Sequence, residues 1–274
     1  NQPPKWPNLL NQARCTLNQI FVNNIVFFTD PDTLMIGDYL GIEQARLATT
    51  VVALPGQMMF SGDKLAELKP ERMRLLQQAL PVCDVRPMDL FPVFDMLPVW
   101  ALHVRRPFAE WQVVALFNWD EKEAELGFTF DELGLDAAAD YAIYEFWTGT
   151  YQGVRKARFD MPVPGHGVRL LAVHRAQAVP QFLSSDRHIT QGGVELTGLA
   201  WDGARNVLTG AVKAVKDHPV TLRFRVPQGF ALASASSADG ITCQAAAEAN
   251  GAVAVKLLSG VSQEVPFTLS WKRE

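Results

Sequence analysis

Apolar positions in residues 1–82 alternate between helical spacing and short continuous runs. After Pro7, tolerated in a first helical turn, Leu10, Ala13, Leu17, Ile20 and Phe21 recur at helical spacing. They predict a helix with one buried face. Asn24-Ile25-Val26-Phe27-Phe28 then forms a continuous apolar run that ends in Thr29-Asp30-Pro31-Asp32. A buried parallel strand stopping at a proline-broken polar loop has this pattern. Residues Ile42 to Leu54 are apolar on nearly all sides and predict a second helix, stopped by Pro55-Gly56. Gln57-Met58-Met59-Phe60 reads as another short strand, ending at Ser61-Gly62-Asp63. A third helix starts near Pro70 and carries Met73, Leu76 and Leu80 inward. The order is helix–strand–helix–strand–helix, with polar residues after each strand, where α/β barrels build their active sites. Two such units cannot close an eight-stranded barrel and would leave open edges. Either they are part of a barrel whose remainder precedes Asn1, or the segment packs in some other way.

From Asp84 onward the pattern turns to strands. Expected strands are Pro98–Val104, Trp111–Asn118, Glu123–Phe130, Tyr141–Trp147, Ala157–Met161 and Val168–His174. Turn residues separate them, as in an antiparallel sandwich. Gln177–Ser185 reads as a connector. A second set follows: Val194–Trp201, Val207–Val215, Val220–Val226, Ala231–Ser236, Ile241–Ala246, Ala252–Leu258 and Val265–Trp271. Their number and spacing fit an immunoglobulin-like sandwich. Strict alternation in Thr221-Leu222-Arg223-Phe224-Arg225-Val226 predicts a half-buried strand with its arginines outward.

Composition narrows the class. The 274 residues are 48% hydrophobic and 20% charged, with a formal net charge of −4. That balance is globular and excludes general disorder. Acids and bases are interspersed without a basic stripe, so nucleic acid and anionic membrane are not expected partners. No apolar run approaches the ~20 residues of a membrane span. The cysteines Cys15, Cys83 and Cys243 are odd in number and far apart, which makes neither a disulfide framework nor a metal knuckle. The chain starts at Asn1 with no signal peptide following. It is read as a processed product or a piece of a longer protein, with a secreted or periplasmic location favoured over a cytoplasmic one.

Candidate chemistry concentrates at the strand ends. Asp30-Pro31-Asp32 places two carboxylates around a rigid proline, where one can bind sugar hydroxyls, orient an arginine or serve as acid or base. The structural reading is a strand-end turn with Asp30 capping the next segment. Asp63 either caps the following helix or faces the same pocket as Asp32. Arg14 is either a surface charge or a partner for a strand-end aspartate. His103, His166, His174, His188 and His218 lack metal-ligand spacing, and no metal or other cofactor is expected. There is no P-loop, Rossmann fingerprint or nucleophile elbow. Trp100, Trp111, Trp119, Trp147, Trp201 and Trp271 sit mostly inside strand patterns. That favours core packing over sugar-stacking platforms.

The stretch Phe27-Phe28-Thr29-Asp30-Pro31-Asp32-Thr33-Leu34-Met35-Ile36-Gly37-Asp38 resembles a motif of the α-galactosidase (melibiase) superfamily of glycoside hydrolases, usually Trp-x-Asn-Asp-Pro-Asp-x-Leu. Residues 47–65, running from a small-residue helix into Gln57-Met58-Met59-Phe60-Ser61-Gly62-Asp63-Lys64-Leu65, are similar to the family's penultimate helix and last barrel strand. Val113-Val114-Ala115-Leu116-Phe117-Asn118 and Tyr144-Glu145-Phe146-Trp147-Thr148-Gly149 look like the β-sandwich that follows the barrel. The resemblance covers roughly residues 8–178.

It implies a (β/α)8 TIM barrel and retaining hydrolysis of α-galactosides by two aspartates, a nucleophile and an acid/base. Both family positions precede the Asp-Pro-Asp motif, and none of the 29 residues before Asp30 matches them. The catalytic pair is therefore expected upstream of this chain. Asp32 carries over as a pocket-lining residue, with Asp30, Asp63 and Arg14 as weaker supporting positions, and Thr29 stands where the family usually has Asn. The expected architecture is the last βα units of a barrel (1–82), a β-sandwich (83–178) and an accessory immunoglobulin-like sandwich (179–274). The expected partners are an α-galactoside and the remainder of the barrel. The alternatives are a non-catalytic carbohydrate-binding or structural module, or a related α-glycosidase with another sugar preference.

Overall fold

Three α-helices, a single 3-10 turn at Leu65–Glu67 and two very short strands make up the N-terminal stretch in the computed structural model, which describes residues 5–83 and 96–274. The start of the β-rich part, placed at Asp84, lies outside the described residues. Helix α1 spans Trp6–Gln19, and the side chain of Asn8 accepts the backbone N–H of Lys5 at its start. Its buried face is Leu9, Ala13, Thr16 and Leu17. Ala13 and Leu17 are as predicted, but Leu10 and Ile20 are only half-buried and Phe21 is exposed. Strand β1 is Thr33–Leu34 and pairs in parallel with β2, Phe60–Ser61. Between them α2, Ile42–Ala53, is buried on nearly every side from Ala45 onward, as apolar residues on nearly all of its sides predict. Its buried threonines are satisfied internally: Thr49 and Thr50 donate to the carbonyls of Ala45 and Arg46 at 2.7 and 2.8 Å. Helix α3, Pro70–Ala79, buries Arg72, Leu75, Leu76 and Ala79; of the expected face Met73 is half-buried and Leu80 exposed.

The expected strand over 24–28 does not form. The chain turns there, with the Asn24 N–H donating to the Phe27 carbonyl at 2.9 Å. Ile25, Val26, Phe27 and Phe28 are 61%, 71%, 53% and 63% exposed. A parallel strand needs a neighbour to satisfy its backbone and cover its side chains, and this run pairs with none of the described strands. Asn23 anchors the turn instead. Its amide donates to the Pro55 carbonyl and its oxygen accepts the Thr29 N–H.

The remaining strands are β3 (Val99–Arg106), β4 (Ala109–Asn118), β5 (Ala124–Thr129), β6 (Asp140–Glu145), β7 (Thr150–Lys156), β8 (Arg158–Val163), β9 (Gly167–Arg175), β10 (Gln181–Ser185), β11 (Leu196–Asp202), β12 (Val207–Ala214), β13 (Val220–Arg225), β14 (Phe230–Ser237), β15 (Ile241–Glu248), β16 (Ala252–Ser259) and β17 (Gln263–Arg273). One sheet has the order β3-β4-β9-β6-β7, and β5 pairs with β8. Two further sheets, β10-β13-β16-β15 and β11-β12-β17-β14, contribute to a common core that runs from Phe182 to Trp271. Two elements differ from the sequence pattern. Strand β7 has no counterpart in the sequence pattern because Gly153, at φ +82°, and its polar neighbours break the apolar alternation. Gln181–Ser185, expected as a connector, is a fully buried strand, β10, paired antiparallel with β13.

The chain divides into two compact units, each drawn from separate stretches. The first comprises residues up to His103 together with Gln112–Ala137 and Ala157–Leu171. The second comprises Val104–Trp111, Ala138–Lys156 and Ala172–Glu274. Among the described residues no helix is long and apolar enough to cross a membrane.

Candidate functional site

The loops that follow β1 and β2 meet at one carboxylate. Asp63, just past β2, accepts the Ile36 N–H at 2.7 Å and the Tyr39 hydroxyl at 2.5 Å. Burial, and then the hydrogen bond to Asp63, push the Tyr39 phenol well above its ordinary range, so it stays a neutral donor. Two glycines make the approach possible. A Cβ at Gly37 would lie 2.5 Å from the Tyr39 ring and 3.1 Å from Asp63 Oδ1, and one at Gly62 would lie 2.8 Å from Met35 Cγ. Neither position has room for a side chain unless its neighbours shift.

These loops enclose a cavity of about 330 Å³ lined by Gly37, Asp38, Tyr39, Asp63, Lys64 and Lys69, among others. Lys69 pairs with Asp38 at 2.8 Å, and the buried Arg72 donates to the Leu40 carbonyl at 2.8 Å with Nε 3.7 Å from Asp38. The cavity thus presents a phenol, carboxylates and ammonium groups, a donor and acceptor set suited to a polyhydroxylated ligand.

The expected site residues are distributed differently from the sequence reading. Asp30 accepts the Asp32 N–H at 2.8 Å, the local turn contact foreseen for it. Asp32 is exposed, sits at φ +69° ahead of β1, and accepts the Thr33 N–H at 2.7 Å. It is not among the cavity-lining residues, whereas Asp63 is. Arg14 is exposed on α1. Thr29 is buried and accepts from Gln57 at 2.7 Å, and Gln57 in turn accepts from Thr16 at 3.2 Å. Tyr39 and Lys69 were missed. An aromatic among polar residues in Gly37-Asp38-Tyr39 was the available signal for the first, and nothing local marks the second. Among the described residues no cluster of three His, Cys, Asp or Glu could hold a metal ion.

Residues 103–173 match the sequence model of the alpha galactosidase C-terminal beta sandwich domain. No curated protein matches the chain. Among solved structures, alpha-galactosidase I from Mortierella vinacea is similar, at 16% identity and a TM-score of 0.51, over 62% of this chain and 45% of that one. A GH27 β-L-arabinopyranosidase from Geobacillus stearothermophilus is similar at 18% identity and a TM-score of 0.52, over 64% of this chain and 43% of that one. At these identities the structural likeness concerns the fold. The chain spans less than half the length of these proteins. Together the matches bear out the resemblance to the C-terminal portion of the α-galactosidase superfamily, a glycoside hydrolase group.

Proposed function

We propose that this chain is the C-terminal portion of a retaining glycoside hydrolase acting on terminal α-galactosides, with its nucleophile and acid/base in upstream sequence. The observation that carries the reading is the α-galactosidase C-terminal sandwich at 103–173, preceded by two parallel-strand units whose apolar run 25–28 lies open. An exposed cluster of this kind marks a surface made to be covered, and neighbouring barrel strands would cover it. In that setting Asp32 lines the sugar pocket, and Asp63 with Tyr39 holds the two loops in place.

Retaining hydrolysis requires two carboxyl groups about 5–5.5 Å apart across the scissile bond. Asp30, Asp32 and Asp63 each accept backbone N–H groups, which gives them local structural roles. The expected outcome is that residues 1–274 alone release no nitrophenol from a chromogenic α-galactoside, while a longer protein including the upstream barrel does. Turnover by the chain alone that vanishes with Asp32→Ala would overturn the assignment of the pair to upstream sequence. The similarity to an arabinopyranosidase favours one second reading, a related glycosidase with another sugar preference. A parallel assay with nitrophenyl β-L-arabinopyranoside separates the two.

A further inference from the structure

The second compact unit holds a pocket that the proposed hydrolysis does not use. Its volume is about 270 Å³, near the lower end for small-ligand sites. The floor is apolar and buried: Phe182 on β10 and Leu208 on β12. One wall is Trp201 on β11, directly opposite Leu208 in the β11–β12 register. The Trp201 indole is only partly buried and is steadied edge-on by Phe230, with ring centroids 6.0 Å apart and planes at 76°. Since β11 is an edge strand of its sheet, this side of the pocket opens to solvent. The opposite rim carries Glu110 on β4 and Arg175 on β9, exposed side chains from adjacent strands.

That rim is built rather than loose. The Gln181 side chain accepts the Gln177 N–H at 2.8 Å and donates to the Arg175 carbonyl at 3.2 Å, which ties residues 175–181 into one turn. His174, which also lines the pocket, donates from Nε2 to the Leu183 carbonyl at 2.7 Å. The rim charges are one carboxylate and one guanidinium, so the rim carries no net charge with which to select an ion. A pyranose chair, with an apolar C–H face and hydroxyls around its edge, suits such a rim. Its C–H face suits the electron-rich face of an indole, and its hydroxyls suit the acceptor and donor fork of Glu110 and Arg175.

We propose that this pocket is a carbohydrate-binding site for a neutral pyranose unit, formed entirely by residues of the second unit and independent of catalysis. Only the choice of α-galactosyl probes rests on the proposed function. The test is isothermal titration and ligand-observed NMR of the 274-residue chain with raffinose, galactomannan and, as a different sugar, maltotriose. Binding of at least one of them is expected. Trp201→Ala should weaken it at least tenfold, and Arg175→Gln or Glu110→Gln several-fold, while Glu264→Gln, an exposed change on β17 outside the pocket lining, leaves it unchanged. Because Trp201 also packs on the sandwich core, the two exposed rim variants and Trp201→Phe keep the result readable if Trp201→Ala does not fold. No binding of any probe, or binding that all the pocket variants leave intact, overturns the proposal. Sugar binding lost with Asp32→Ala instead would point to the β1–β2 loops. Hydrolysis by the longer protein that persists in Trp201→Ala leaves the glycosidase reading standing either way.

Discussion

At the residue scale, Asp63 and His174 show how burial sets chemistry. Removing the Asp63 carboxylate leaves the Ile36 N–H and the Tyr39 hydroxyl without their acceptor. Asp63→Ala is therefore expected to destabilise the chain by about 1–3 kcal/mol, and Tyr39→Phe by about 0.5–1.5 kcal/mol, both measurable by urea unfolding. In the second unit, burial pushes the His174 pKa down to about 4 from its ordinary value. The unfolded chain takes up this proton near pH 6.5 and the folded chain does so only near 4. Stability from this group is therefore complete above 6.5 and is lost as pH falls between the two, by roughly 3–4 kcal/mol in all. Burial pushes the Glu195 carboxyl upward, which has the opposite sign. Its favourable contribution is present below the unfolded value and is lost as pH rises through the raised one. Unfolding free energies at pH 4.5 and 7 should show the acid-side loss shrinking in His174→Gln. Glu195→Gln should stabilise more at pH 7 than at 4.5. Equal slopes in wild type and variants would show that neither group is a source of the pH dependence. Asp63 was legible in the sequence as a candidate. Its partner was not, because residues 39 and 63 are brought together only by parallel pairing of β1 with β2.

At the element scale, two segments read as buried meet opposite fates. Helix α2 buries Leu47, Val51 and Val52 almost completely, while Phe27 and Phe28 lie open. Leu47→Ala is expected to cost about 2–5 kcal/mol through loss of buried surface and the cavity left behind. The double change Phe27→Ser, Phe28→Ser should cost less than about 0.5 kcal/mol in this chain. In a longer protein carrying the upstream strands, the same double change should cost several-fold more, as thermal unfolding of both proteins would show. A large cost already in the isolated chain would contradict the exposed turn. Periodicity predicted both segments as buried because it reports the demand for cover and not its supplier. The same limit explains β10. Its sequence, Gln181-Phe182-Leu183-Ser184-Ser185, lacks alternation, yet pairing with β13 buries all of it, and the Ser184 hydroxyl is satisfied by the Gln191 side chain at 2.8 Å.

At the scale of the whole molecule, the core around Phe182, Leu222, Phe224, Val255, Phe267 and Trp271 draws its members from residues 182–271, and strands β10 to β17 supply both of its sheets. Residues 179–274 expressed alone should therefore fold and unfold in one cooperative transition, followed by circular dichroism and tryptophan fluorescence. A fragment without dispersed NMR signals would show that this sandwich depends on the rest of the chain. By itself the sequence determined the helix of 42–53, most of the strands after residue 96 and the resemblance to an α-galactosidase C-terminal portion, because periodicity of 3.6 or 2 and local motifs are written in neighbouring residues. Tertiary structure alone decided that 24–28 turns outward, that Asp63 rather than Asp32 lines the β1–β2 cavity, and that Trp201 faces a pocket shared with Glu110 and Arg175. The physical reason is common to all three: a strand edge, a shared carboxylate and a pocket wall are each completed by residues far away in the chain, and their pairing is set by sheet register and packing rather than by any local pattern.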